Sequence, residues 1–320
     1  MFLNWKNYTL ALGLAAISPF TFADYPDRAV KIIVPFAAGG FTDSVARIVA
    51  QELTKMWGQS VLVNNHLGAG GNIGATLVAK SPADGYTLLL ATNTTHGTNP
   101  TLYRDIQFDA IKDFTPVVLM ATTPNVFVTT PKLPINSMSE LIATVKAQPN
   151  KFSYGSTGVG SSVHLQAEQF KSVAGLQMTH VPYKGSSQAL TDLISGQVQV
   201  MFDNFLFQLP QIKANNVKAL AITSKRRSPL LPDVPTMAEV GVQGFDYGPW
   251  FGIVAPAKTP QFIIAKINSD INTVLQMKDV QDKLQGAEIL GGTSLQFAVF
   301  MEKDIAKWAK LIRELNLKAD

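Results

Sequence analysis

Val30-Lys31-Ile32-Ile33-Val34 runs into Pro35-Phe36-Ala37-Ala38-Gly39-Gly40-Phe41-Thr42-Asp43, and this stretch decides the fold. The first five residues are mostly β-branched and apolar, the composition of a strand. The glycine pair turns the chain, because glycine enters backbone conformations closed to other residues. A helix over 42–55 follows, with Val45, Ile48, Val49 and Leu53 recurring on one face near a helical period. Outward from there, 60–63 reads as the next strand. Residues 86–91 form a continuous apolar strand, as expected in a parallel sheet covered on both faces. Strand, helix, strand, helix, strand predicts an open α/β sheet.

Strands at 116–121 and 126–129 come next, joined by the short polar link Thr122-Thr123-Pro124-Asn125. Such a pair reads as one long strand crossing between domains. A second α/β series then begins. Ser137-Met138-Ser139-Glu140 is a capping-box pattern opening a helix to about Gln148. Strands are expected at 152–155, 178–182, 198–202 and 217–223, and helices at 162–173 and 187–195, with Gly175 as a helix stop. Pro229, Pro232 and Pro235 punctuate a loop, 252–255 returns the chain, and 259–276 and 294–315 read as long amphipathic helices. Two similar α/β halves suggest two lobes around a cleft.

Composition narrows the function. The chain has 320 residues, 46% hydrophobic and 16% charged, enough for a large core and too apolar for disorder. There is no cysteine, which excludes disulfides, thiolate metal sites and a cysteine nucleophile. The formal charge is +4, and Lys225-Arg226-Arg227 is the one basic run; it reads as a solvated turn, so no nucleic-acid partner is expected. Residues 1–23 read as a secretory signal: Lys6 supplies the positive charge, 8–17 is the apolar stretch, and Thr21 and Ala23 are the small residues a signal peptidase reads. Cleavage is expected after Ala23, with export to a periplasm. The rival reading is a retained anchor helix, but the apolar run is short for a bilayer.

Chemistry is expected at the strand–loop–helix junctions. Phe36 to Thr42 would bring backbone N–H groups to a ligand at a helix N-terminus, which suits a carboxylate or phosphate. Asp43 sits in the first turn, four residues before Arg47, in pairing range. Gly68-Ala69-Gly70-Gly71-Asn72-Ile73-Gly74 misses the dinucleotide fingerprint by one position and reads as an anion-accepting or close-packing turn. Thr92-Asn93-Thr94-Thr95-His96 lies at a strand's carboxyl end, where open α/β sheets place ligands. Residues 155–164 form a matching junction in the second half. Asp203 reads as a general base or, alternatively, as a capping and hydrogen-bonding residue. His66, His96, His164 and His180 lack metal-ligand spacing, and no Gly-x-Ser-x-Gly elbow or Walker A motif occurs. No catalytic residue, metal or cofactor is therefore assigned.

Taken in order, these segments resemble the Bug-type solute-binding receptors of tripartite tricarboxylate transporters. The resemblance rests on Arg28-Ala29-Val30-Lys31-Ile32-Ile33-Val34-Pro35-Phe36, Gly39-Gly40 with Asp43 and Arg47, the 68–74 glycine turn and Ser81-Pro82-Ala83-Asp84-Gly85-Tyr86-Thr87. It continues through Val181-Pro182-Tyr183-Lys184-Gly185, Phe202-Asp203, Leu231-Pro232-Asp233-Val234-Pro235-Thr236 and Trp250-Phe251-Gly252. It implies a two-lobed, type II-like periplasmic-binding-protein fold with two crossovers. One lobe would be 24–124 plus 247–320, and the other 125–246. It implies a carboxylate cradle of Phe36, Ala37, Ala38, Gly39, Gly40, Phe41 and Thr42, where the family often has proline in place of Ala38. Thr92, Asn93, Thr157, Gly158, Ser161 and Ser162 become polar contacts, and Asp203 meets a distal ligand group or a water. The implied partners are a small organic carboxylate, dicarboxylate or aromatic, and membrane permease subunits, with the receptor a monomer. Phe41, Phe205, Phe207 and Trp250 are the candidates for an apolar wall. Two other functions stay open at this point: a sensor serving a membrane histidine kinase, and an exported hydrolase using Ser161 or Ser162 with His164.

Overall fold

A computed structural model describes residues 25–245 and 248–319. The expected signal segment 1–23 with its cleavage point, and the residues 246 and 247 at one expected lobe boundary, lie outside the described residues. The chain runs β1 (Val30–Val34), α1 (Phe41–Trp57), β2 (Val61–Asn65), α2 (Asn72–Ala79), β3 (Thr87–Thr92), α3 (Asn99–Leu102) and β4 (Phe114–Thr122). It continues β5 (Asn125–Thr129), α4 (Met138–Ala147), β6 (Ser153–Ser156), α5 (Ser162–Ala174), β7 (Thr179–Pro182), α6 (Ser186–Ser195), β8 (Val200–Asn204), α7 (Phe205–Lys213) and β9 (Lys218–Ile222). It closes with β10 (Trp250–Pro256), α8 (Gln261–Gln276), α9 (Lys278–Lys283), β11 (Glu288–Ile289) and α10 (Ser294–Glu314).

These strands make two sheets. One has the order β11-β4-β10-β3-β1-β2, the other β7-β6-β8-β5-β9. Each carries helices, so the fold has two α/β lobes. The link Thr122-Thr123-Pro124 carries the chain from the end of β4 in one sheet to the start of β5 in the other. β10 brings it back. The parallel reading of the 86–91 strand needs a correction: β3 is parallel to β1 but antiparallel to β10, so the sheet is mixed.

Local sequence explains the elements. α1 buries Val45, Ala46, Val49, Ala50 and Leu53 against β1 and β3 and stops at Gly58, whose φ is 65°. The valine and leucine side chains buried in this way contribute roughly 1.5–3 kcal/mol each. α4 starts where the capping pattern put it, with the Ser137 hydroxyl accepting from the Glu140 amide. Two elements escape the apolar pattern. α7 has no clean apolar face, since it buries Gln208 and contains Pro210, and the Asn204 side chain caps it by accepting from the Leu206 and Phe207 amides. Residues 93–98 form a wide π-type turn rather than a loop.

The lobes touch on two sides. At the crossovers, Pro249 O accepts from the Thr123 amide and the Thr122 hydroxyl. A Cβ on Gly248 would lie 1.9 Å from Thr123 O, so only glycine fits there. At the far side, the Thr98 hydroxyl donates to Gly160 O at 2.7 Å, and Leu165 of α5 packs with Leu102, Trp308 and Ile312 of the other lobe. No helix among the described residues is long and apolar enough to cross a membrane.

Candidate ligand-binding site

The α1 end of the site is held rigidly from behind. Asp43 is buried, and its Oδ2 accepts from the Gly39 amide at 3.1 Å and from Arg47 Nε at 2.8 Å. Its Oδ1 accepts from Asn65 Nδ2, which also donates to Phe36 O. Burial pushes the Asp43 carboxyl up, but the hydrogen bonds from Arg47, Asn65 and Gly39 outweigh it and hold the group below its ordinary value. Gly40 is the N-cap of α1 and offers no side-chain cap. The first-turn amides of α1 therefore keep their positive dipole end open.

The loop held in this way borders a cavity between the sheets. It holds about 80 Å³ of space for the centres of water-sized atoms, room for roughly half a dozen waters. From the first lobe come Phe36, Ala37, Ala38, Gly40, Phe41, Thr42, Thr92, Asn93 and Thr94. From the second come Thr157, Ser162, Val163, Asp203 and Asn204, with Gly185, Ser186 and Ser187 at the start of α6. Asn125, Pro249 and Phe251 complete it near the crossovers. Ala37 faces Gly185 so closely that a Cβ on Gly185 would come within 3.3 Å of the Ala37 Cβ.

Eleven of the expected residues thus meet in one place: Phe36, Ala37, Ala38, Gly40, Phe41, Thr42, Thr92, Asn93, Thr157, Ser162 and Asp203. Gly39, Gly158 and Ser161 do not line it. The Gly39 amide is taken by Asp43. Gly158 exchanges hydrogen bonds with Ser156, and Ser161 caps α5 by accepting from the His164 amide while donating to Gly158 O. The Ser161 hydroxyl therefore meets the His164 backbone rather than its ring, and His164 Nδ1 accepts from the Gly160 amide. The aromatic wall is also redrawn. Phe41 stands edge-on to Phe251 at 5.2 Å, whereas Trp250 packs on Phe297 and Phe300, and Phe205 lies in the core under β5 and β8. Phe207 does not border the cavity. The glycine turn at 68–74 is a close-packing turn: a Cβ on Gly74 would meet His66 O at 3.0 Å and Pro35 at 3.1 Å.

The cavity's electrostatics are unusual. No lysine or arginine lines it, and Asp203 is its one ionisable group. Asp203 is buried, with Oδ1 accepting from the Ser186 hydroxyl and Oδ2 from Gln208 Nε2, each at 2.7 Å. Burial pushes its carboxyl up to about 6, and the hydrogen bonds from Ser186, Gln208 and the Asn204 amide temper that rise. Two buried lining groups have no partner: Asn93 Nδ2 and Asn125 Oδ1.

Beneath the 156–161 loop, His164 and His180 stack at 4.1 Å, and the Ser156 hydroxyl meets His180 Nε2 at 2.7 Å. Burial lowers His164 to about 4, and His180 and His96 to about 3. Burial also raises Asp304, between the indoles of Trp250 and Trp308, to about 6. A histidine kept neutral takes its proton only on unfolding, so each loses stability as pH falls below 6.5. A carboxyl raised by folding takes its proton first in the native chain, so Asp203 and Asp304 add stability as pH falls through about 6. Three histidines against two carboxyls leave one excess proton in the unfolded chain, worth about 1.4 kcal/mol per pH unit. Urea unfolding should therefore show a loss of roughly 3 kcal/mol between pH 6.5 and 4.5. A flat profile would contradict neutral burial of these rings.

Comparisons with known proteins agree with this architecture. Residues 45–317 match the family described as Tripartite tricarboxylate transporter family receptor. Protein BugT of Bordetella pertussis is 40% identical over 309 residues, covering 96% of this chain and 94% of that protein. A structure of an R. palustris protein with adipate superposes with a TM-score of 0.89 at 38% identity, covering 92% of this chain and 99% of the other. MatC from Rhodopseudomonas palustris with bound malate gives 0.86 at 34% identity, covering 90% and 100%.

Proposed function

The chain belongs to the tripartite tricarboxylate transporter receptor family, as a Bug-type solute-binding protein, and from that premise we propose that it captures a small organic carboxylate in the cavity between its lobes. In this reading the protein works in the periplasm after loss of the 1–23 signal, and the lobes, 24–124 with 247–320 and 125–246, hinge at the two crossovers. An open cleft admits the anion. Closure removes water and strengthens each hydrogen bond to the charge. The ligand drives closure by its preference for the closed state. The closed form is then handed to a membrane permease. No covalent step is involved.

One observation carries the reading. A cavity without lysine or arginine presents the uncapped amides of α1 together with the unpartnered Asn93 Nδ2. Such a donor set suits a carboxylate held by dipoles. Adipate and malate, present in two similar structures, are both small carboxylates. A thermal-shift screen tests it. A carboxylate at a hundred times its Kd should add about 2.7 kcal/mol of stability and raise Tm by several degrees, while its amide should not. Equal shifts for acid and amide, or none for any acid, would remove the carboxylate assignment.

A further inference from the structure

His164 does at the start of α5 what a glutamate or glutamine does at other helix starts. Ser161 is the N-cap and accepts from the His164 amide, so His164 is the third residue of the helix. In a capping box the side chain at that position reaches back to a free amide at the cap. Here the imidazole does so: His164 Nδ1 accepts from the Gly160 amide at 3.1 Å. A ring nitrogen that accepts from an N–H carries no proton, and a charged imidazole has donors on both nitrogens. The bond therefore exists only while the ring is neutral.

The amide held in this way belongs to the loop that meets the other lobe. Thr157 and Ser162, at its two ends, line the cavity. Between them Gly160 O accepts from the Thr98 hydroxyl at 2.7 Å, and Val159 O from the Tyr103 hydroxyl at 3.4 Å. One imidazole thus ties down a loop that both borders the cavity and touches the first lobe.

The surroundings oppose a proton on the ring. His164 is buried, His180 of β7 stacks on it at 4.1 Å, and Tyr154 of β6 stacks on His180 at 4.8 Å. On α5 itself Lys171 and Glu168 pair at 2.7 Å, and the Tyr154 hydroxyl donates to the same Glu168 oxygen. Tyr103 is the titratable group that faces the loop from the first lobe. The positive end of the helix dipole lies at this first turn. Burial lowers the ring to about 4, with Lys171 adding to the fall and Glu168 opposing it.

Resting on the reading that capture closes the lobes, we propose that His164 is a positioning residue for closure: its neutral ring sets the 157–162 loop against the first lobe, and a proton on it releases the loop and the ligand. Separated lobes leave the loop in water, where the ring takes a proton near the ordinary histidine value of about 6.5. Closure must expel that proton, so acid favours the open form and weakens binding.

The full protein is followed first without ligand, with histidine and glycine labelled with nitrogen-15. The His164 ring should be in its Nε2–H form at pH 7.5, and the Gly160 amide should shift with the ring's midpoint as pH falls to 4.5. A ring still neutral at pH 4.5, or an amide indifferent to its titration, overturns the proposal and leaves the receptor reading standing. Calorimetry with malate and adipate then reads capture. His164→Gln keeps an acceptor for the Gly160 amide but takes no proton. Between pH 7.5 and 5.0 affinity should fall about tenfold further in the unmodified protein than in this variant. Asp203 and the acids themselves titrate in both proteins, so the difference belongs to His164. An equal fall in both overturns the proposal. If neither acid binds at pH 7.5, that counts against the receptor reading, and the ligand-free spectra still decide what His164 does.

Discussion

Gly160→Ala is expected to weaken carboxylate binding by roughly five- to a hundred-and-fiftyfold in a protein that still folds. Gly160 has a φ of 80°, and a Cβ there would lie 2.3 Å from Leu102 Cδ2 of the other lobe. Two costs follow. A left-handed conformation costs an alanine about 1–2 kcal/mol, and this falls on the loop whether or not the lobes meet. The overlap with Leu102 forces repacking of the Leu102, Leu165 and Trp308 contact, a penalty of about 1–3 kcal/mol. That second cost exists only when the lobes are together. Binding that depends on closure loses affinity by that amount, about five- to a hundred-and-fiftyfold. Calorimetry on Gly160→Ala, Leu102→Ala and the double variant measures it. The double variant should recover most of the affinity, because Leu102→Ala removes the atom that collides. Unchanged affinity in Gly160→Ala would mean that binding and lobe contact are independent.

Asp43→Ala should act from behind the α1 end of the site. Three donors lose their acceptor at once: the Gly39 amide, Arg47 Nε and Asn65 Nδ2. Asp43 is 3% exposed, so water reaches the Gly39 amide poorly once the carboxyl is gone, whereas the half-exposed Arg47 regains water. Loss of this buried acceptor is expected to cost about 1–3 kcal/mol. The loop it braces carries Phe36, Ala37 and Ala38 to the cavity. Affinity for a carboxylate should fall at least tenfold, because the amides must then be ordered on binding. Urea unfolding reads the first effect and calorimetry the second. A stability loss with intact affinity would show that the loop keeps its shape without Asp43.

The sequence was most readable where one residue type has one use. Val30 to Val34, the glycine pair and the helical spacing after it leave little choice, and the loop between β1 and α1 borders the cavity. Reading failed where backbone atoms decide. Gly39, Gly158 and Ser161 carry the right chemistry, yet their polar groups are taken by neighbours, which residue type cannot reveal. By residue type Asn125 is the last residue of a polar link. Its burial comes from the place of β5 between β8 and β9, and its bond to Gln166 reaches forty-one residues along the chain. Gly185 and Ser186 came into view only as a family motif and a helix start. Trp250 against Phe251 is a matter of parity. Adjacent strand residues point to opposite faces, so choosing the wrong aromatic by one position moves it from the cavity to the far side of the sheet. α7 is obscured by Pro210 and by the buried Gln208, which interrupts the apolar face that would mark a helix.

The place of β10 between β3 and β4 bears on the order in which the molecule is made. A chain emerges amino end first, and domains tend to fold as units as they appear. The β5-to-β9 sheet has every strand once residue 222 is out. The other sheet, begun nearly a hundred residues earlier, waits until Pro256 for the strand that joins its halves. Until then β3 presents one unpaired edge and β4, which also awaits β11, presents two, the kind that attract strands of other chains. The lobe synthesised first is therefore the lobe completed last, and a chain cut short before β10 leaves that sheet in two pieces.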